Sequence, residues 1–238
     1  MHHGELKFLN QSVQIETGYQ QISLLYAQFD PALYSDTLFE GLHIAFPASL
    51  RSAVDKRKSD YLAGRALSNR AFQSLGLEPV NVPIGPKRGP VWPAGINGSI
   101  SHTKGYCTSI LSADPRVFVG VDIEGLLSEN GLKSVHRIAF SDTERSFATT
   151  QTAFTQQYLG SLVFSAKETL YKCLFPIVQA FFGFDAAEVY QSIGTEIVRL
   201  RLTRTLHATL IEGQVFEIHH QVLDDKILTW MTYMHPTN

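Results

Sequence analysis

VFVGVDIEG, residues 117 to 125, is the stretch from which the fold is read. Its apolar, β-branched run predicts a strand. Side chains alternate along a strand, so Asp122 and Glu124 leave it on one face. It follows Asp114-Pro115, a turn signal at which one mixed α and β pattern ends and a second begins. Upstream, SLLYAQFD (23–30) reads as a strand, residues 48 to 75 as a long helix ended by Gly76, and GSISHTKGYCTSIL (98–111) as a strand region. Downstream, residues 141 to 149 and 155 to 182 read as helical, and EIVRLRLTRTL (196–206), HATLIEG (207–213), QVFEIHHQVLD (214–224) and KILTWMTYM (226–234) as strands. The expected fold is therefore α+β in two similar halves, 1–114 and 115–238, each with helix packed on antiparallel sheet. A cleft between such halves is a natural site. Self-similarity between the halves is too weak to define a repeat.

Composition bounds the function without naming it. The chain has 238 residues, 44% hydrophobic and 18% charged, enough for a sizeable core. No apolar run reaches the roughly 20 residues that span a bilayer, and the opening MHHGELKFLN lacks an apolar signal core. The expected location is the cytoplasm. Cys107 and Cys173 lie in apolar stretches without a CxxC or Cys/His cluster, which predicts buried free thiols rather than a disulfide or zinc site. A net charge of -2 argues against a general nucleic-acid binder. Charge is unevenly placed, however: residues 51 to 70 hold Arg51, Lys56, Arg57, Lys58, Arg65 and Arg70 against Asp55 and Asp60. Each of these alone suits a solvated helix face. Together they suit a polyanionic ligand, since arginine forks hold phosphate.

FSAKETLYK, residues 164 to 172, has two readings. Ser165 followed by Glu168 has the spacing of a capping box at a helix start, a cap worth about 1 kcal/mol. Lys172, four residues after Glu168, has the spacing of an ordinary surface ion pair. The chemical reading joins Glu168 to Asp122 and Glu124 as a three-carboxylate magnesium site, because this hard cation takes carboxylate oxygens and completes its shell with water and substrate phosphate. Upstream, GPKRGPVWPAGINGSISH (85–102) places Lys87 and Arg88 in a loop shaped by proline and glycine, ahead of Ser101 and His102 on a strand. Adjacent strand residues face opposite ways, so Ser101 and His102 form no nucleophile and base pair. A charged imidazole at 102 would donate to phosphate. A basic cluster, a basic loop and three carboxylates flanked by lysines suit a phosphate-rich, magnesium-bound substrate. There is no GxxxxGK[ST] loop to suggest ATP or GTP.

GVDIE (120–124) and FSAKETLYK (164–172), together with RKSDYLAGR (57–65), RGPVWPAGINGSISHT (88–103) and LFP (174–176), resemble the Sfp-type 4'-phosphopantetheinyl transferases, most closely the enterobactin synthetase component D branch. The likeness covers residues from about 55 to 185 in the family's order. It implies two α+β halves and transfer of phosphopantetheine from coenzyme A to a serine of an apo carrier protein, leaving adenosine 3',5'-bisphosphate. By that resemblance Asp122, Glu124 and Glu168 would bind Mg2+, and Glu168 would act as base, directly or through water. Lys172, with Lys167, would steady the pyrophosphate. Arg57, Arg65, Arg88 and His102 would hold the 3'-phosphate and adenine end of coenzyme A, with Lys87 and Ser101 as neighbours. Arg65 could equally serve only to pack and cap its helix. Expected partners are acyl, peptidyl or aryl carrier domains, met by residues around 126 to 160, and a monomer is expected.

Two other classes fit the same residues. A silent coenzyme A-binding module would keep the fold and lack a carboxylate or lysine, and none is missing. A magnesium-dependent phosphohydrolase would need only water as acceptor. Within the transferase class, siderophore and other nonribosomal peptide carriers, polyketide carriers and polyunsaturated fatty-acid carriers all remain open.

Overall fold

The computed structural model describes residues 5–85, 87–151, 154–191 and 193–236, with the side chains of Glu5 and Leu6 outside the description, as are His2 and His3. The chain divides into two compact units, Met1–Val119 and Gly120–Asn238. The division falls after Val119, inside the strand that follows Asp114-Pro115.

In the first unit, helix α1 (Glu5–Phe8) precedes strands β1 (Val13–Ile15) and β2 (Ile22–Gln28), the short helix α2 (Leu38–Gly41), the long helix α3 (Asp55–Ser74), and strands β3 (Asn97–Thr103) and β4 (Tyr106–Ser112). The sheet is antiparallel in the order β1-β2-β4-β3. GSISHTKGYCTSIL is thus a hairpin, turned at Lys104-Gly105 where Gly105 has a positive φ of 74°. Helix α3 lies on β4 and β2. Leu62, Ala63, Ala66, Leu67 and Phe72 meet Leu25, Ala27, Cys107 and Leu111 in the core. The helix starts later than residue 48. Ala48–Leu50 form a separate 3-10 turn after Pro47, and Val54 is extended. A Cβ on Gly64 would stand 2.8 Å from Ile100 Cγ2, so the glycine lets α3 press against β3.

The second unit contains β5 (Val117–Gly125), helices α4 (Glu129–Ala139), α5 (Asp142–Thr150) and α6 (Gln156–Val178), then β6 (Ala187–Val189), β7 (Ile197–Leu202), β8 (Val215–Leu223) and β9 (Lys226–Met234). The sheet order is β5-β9-β8-β7-β6. Strands β7 and β8 bury alternate residues, as a sheet with one covered face must, and α6 packs against β9. The α+β reading holds in both units, each with a long helix on an antiparallel sheet.

Several boundaries differ from expectation. HATLIEG is a turn held by a bridge between His207 and Leu210, not a strand. Helix α4 was not expected; Ser128 caps it by accepting from Gly131 N at 3.2 Å. Helix α6 starts at Gln156, capped by Thr155 accepting from Tyr158 N. Ser165 therefore sits mid-helix, and the capping-box reading of Ser165 and Glu168 is wrong. The capping box present in this region is Ser141 with Glu144, at the start of α5. Cys107 and Cys173 are buried free thiols, as expected. Among the described residues, no helix is long and apolar enough to cross a membrane.

Candidate active site

Gly120 explains how β5 and α6 bring their side chains together. A Cβ there would lie 2.2 Å from Thr169 O and 2.8 Å from Cys173 Cβ, so the strand touches the helix backbone where only glycine fits. Two residues on, Asp122 is 2% exposed, which is costly for a carboxylate without partners. Both oxygens have one: Oδ1 accepts from Lys172 Nζ at 2.6 Å, and Oδ2 from Ser165 Oγ at 2.7 Å. Lys172 thus reaches across to β5 instead of forming the expected surface pair with Glu168.

Glu124 and Glu168 are half-buried and accept no hydrogen bond among the described residues. Burial raises the Glu124 carboxyl to about 7, helped by the charges of Asp122 and Glu168 and opposed by Lys172. Burial likewise raises Glu168, opposed by Lys172 and helped by Asp122. Three carboxylates against one ammonium leave a net negative group whose members resist ionising together. A divalent cation would relieve that repulsion, and all-oxygen donors suit Mg2+. Among the described residues no three such side chains stand grouped to hold a metal unaided. Lys172 occupies the Oδ1 position that a cation would take.

Lys167 does not join this group. Its Nζ is buried and donates to Ala139 O at 2.7 Å, Glu144 Oε2 at 2.8 Å and Phe184 O at 3.3 Å, which uses all three of its protons. Burial lowers its pKa, opposed by Glu144. Glu144 is 1% exposed and also accepts from Ser141 N and Val189 N. Lys167 therefore ties α6 to the end of α4, to α5 and to Phe184, and the expectation that it steadies a pyrophosphate is corrected to a structural role.

Beside Glu168 is a pocket of about 160 Å³ lined by Tyr171, Phe181, Phe182 and Phe184. Tyr171 lies 4.8 Å from Phe182 between ring centroids, and Phe181 is 84% exposed. Sequence reasoning missed these residues. The available signal was the density of aromatics in AFFGF, 180–184, directly after the acidic helix.

The first unit holds a cleft of about 590 Å³ lined by Lys56, Arg57, Asp60, Tyr61, Arg65, Arg88 and His102 among others. Arg57, Tyr61 and Arg65 recur every four residues, one face of α3. Arg65 is buried, donates from Nε to Val82 O at 2.7 Å and lies over the Tyr61 ring at 4.5 Å. His102 Nδ1 is 3.7 Å from Asp60 Oδ2, which accepts from Lys56 at 2.7 Å. Arg88 enters from a tight turn, its N–H donating to Gly85 O at 2.9 Å with φ of 66°. Lys87 is exposed next to it and does not line the cleft, while Pro86 is outside the description. Ser101 is buried on the opposite face of β3 from His102 and is not brought to the cleft.

The rest of the basic cluster is dispersed. Lys58 pairs with Asp36, and Arg70 donates to Leu9 O and Asn10 O. Arg51 is exposed and outside the lining.

Both units match one family of known proteins. Residues 46–112 match the family described as 4'-phosphopantetheinyl transferase N-terminal domain, and residues 118–226 the 4'-phosphopantetheinyl transferase superfamily. The chain is 35% identical over 166 residues to enterobactin synthase component D of Salmonella typhi, covering 70% of this chain and 68% of that protein. Identity to the protein of the same name from Escherichia coli (strain K12) is 30% over 208 residues, covering 87% and 91%. Identity to the 4'-phosphopantetheinyl transferase Npt of Nocardia iowensis is 31% over 150 residues, covering 62% and 65%.

Proposed function

Because the chain belongs to the 4'-phosphopantetheinyl transferase superfamily, we propose that it uses coenzyme A and Mg2+ to modify a serine of apo acyl, peptidyl or aryl carrier domains, releasing adenosine 3',5'-bisphosphate. Siderophore and related nonribosomal peptide carriers are the favoured acceptors, from the names of its relatives. On this reading the protein is a cytoplasmic monomer. The observation that carries it is the Asp122–Lys172 pair beside two carboxylates whose pKa values are raised by burial first and by the Asp122 charge.

In this reading Asp122, Glu124 and Glu168 hold Mg2+, which when bound supplies Lewis-acid stabilisation of pyrophosphate charge. Lys172 exchanges Asp122 Oδ1 for a pyrophosphate oxygen and keeps a charge-assisted hydrogen bond there. Glu168 takes the proton of the carrier serine, directly or through water. The serine oxygen bonds to the phosphorus next to the pantetheine, and the bond from that phosphorus to the bridging oxygen breaks toward the adenosine bisphosphate. The aromatic pocket beside Glu168 takes the uncharged pantetheine arm. In the first unit, Arg57, Arg88 and His102 take the 3'-phosphate and adenine end, and Arg65 with Tyr61 forms the cleft wall, with the exposed Lys87 as the chain neighbour of Arg88.

Intact-protein mass spectrometry tests this. An apo aryl or peptidyl carrier domain incubated with the protein, coenzyme A and Mg2+ gains the mass of one phosphopantetheine. Glu168→Gln abolishes the gain without lowering the melting temperature. Coenzyme A consumption with no change in any carrier type would replace transfer by hydrolysis.

A further inference from the structure

The face of α6 behind the carboxylates meets β9 through hydroxyl groups. Ser165, Thr169 and Thr229 are each fully buried, an expensive choice unless every hydroxyl is satisfied. Thr169 Oγ1 lies 2.6 Å from Thr229 Oγ1, Thr229 Oγ1 lies 2.9 Å from Ser165 Oγ, and Ser165 Oγ lies 2.7 Å from Asp122 Oδ2. An ionised carboxylate only accepts, so Ser165 spends its single proton on Asp122. It must then receive from Thr229, and Thr229 in turn from Thr169. The alternative acceptors are farther away: Ser165 O at 3.1 Å from Thr229 Oγ1, and Thr229 O at 3.3 Å from Thr169 Oγ1.

We propose that Thr229 and Thr169 are positioning residues for Asp122, forming with Ser165 a head-to-tail hydroxyl relay that pins Oδ2 inward. Oδ1, now paired with Lys172 at 2.6 Å, is thereby the oxygen presented to a divalent cation. The relay polarises each hydroxyl toward the carboxylate, the same service outer-shell partners give metal ligands elsewhere. This inference rests on the transferase reading of Asp122. It adds Thr229, on β9 and more than fifty residues beyond the acidic motifs in sequence, and gives a role to the hydroxyls of Ser165 and Thr169 within them.

The test uses the full chain with Thr229→Val, which keeps the shape and removes the hydroxyl, and Thr229→Ser, which keeps the hydroxyl. Mn2+ affinity is read without coenzyme A by the paramagnetic resonance signal of free Mn2+, alongside kcat and KM for transfer and the melting curve. Thr229→Val should weaken Mn2+ about tenfold, with kcat lowered and KM for coenzyme A little changed, while Thr229→Ser stays within about twofold of wild type. Wild-type Mn2+ affinity and rate in Thr229→Val, or equal impairment of both variants, would overturn the relay. Should Thr229→Val fail to fold, Thr169→Val and Thr169→Ser are judged by the same criterion. A wild-type protein that modifies no carrier overturns the transferase reading itself, a result distinct from an active wild type with an indifferent Val variant.

Discussion

Glu124 makes the stability of the metal-free protein depend on pH in an unusual direction for a carboxylate. Its pKa is raised from 4.5 to about 7, by burial first and then by Asp122. Between those values the unfolded chain has released the proton while the folded chain still holds it. The folded state therefore binds more protons, and stability falls as pH rises through this window. At about 1.4 kcal/mol per pH unit the full interval is worth about 3 kcal/mol. Glu124 is only half-buried, and solvent screening reduces the expectation to about 2 kcal/mol. Glu168 contributes with the same sign, so the readout is the difference between wild type and Glu124→Gln, whose neutral amide mimics the protonated acid. Urea unfolding from pH 4 to 8 with chelator should show wild type losing about 2 kcal/mol relative to the variant across the window. Saturating Mg2+ should remove that loss by favouring the charged form. A Glu124 carboxyl resonance titrating near 4.5, or identical pH slopes for the two proteins, would refute the reasoning.

Three further outcomes follow from the geometry. Lys167→Met leaves the Glu144 carboxylate buried without its ammonium and should lower unfolding free energy by about 3 kcal/mol in urea denaturation. Gly120→Ala forces a methyl group into the Thr169 carbonyl and should cost about 2 to 3 kcal/mol by the same assay. Arg57→Ala should raise KM for coenzyme A about tenfold, leaving kcat and the KM for 3'-dephospho-coenzyme A little changed in steady-state assays.

Legibility in the sequence followed the range of the interactions. Alternation along β5 was enough to place Asp122 and Glu124 on one face, and the length of the 155–182 pattern matched α6 closely at its N-terminus. Ser165 was misread because S-x-x-E has the same spacing inside a helix as at its start. The partner that decides its role, Asp122, lies 43 residues earlier. Lys167 and Lys172 look alike beside Glu168, yet one is fixed by Glu144 and the other by Asp122, contacts that helical spacing does not encode. The basic run 51–70 likewise separated by facing: Arg57 and Arg65 share the cleft face of α3, whereas Lys58 and Arg70 find partners in Asp36 and the Leu9–Asn10 backbone. Helix α4 escaped notice because Asn130 and Gly131 in its first turn are poor helix formers, and its Ser128 cap offers only a local signal.

The bonds around Glu144 join the start of α5, the middle of α6 and the strand at Val189 through one carboxylate. In a secreted protein a disulfide would often supply such a cross-link between distant segments. Here both thiols are free and buried, and the staple is ionic. Its strength is consequently indifferent to glutathione and other reductants, so the fold around Glu168 stays closed in a reducing compartment where a disulfide would open.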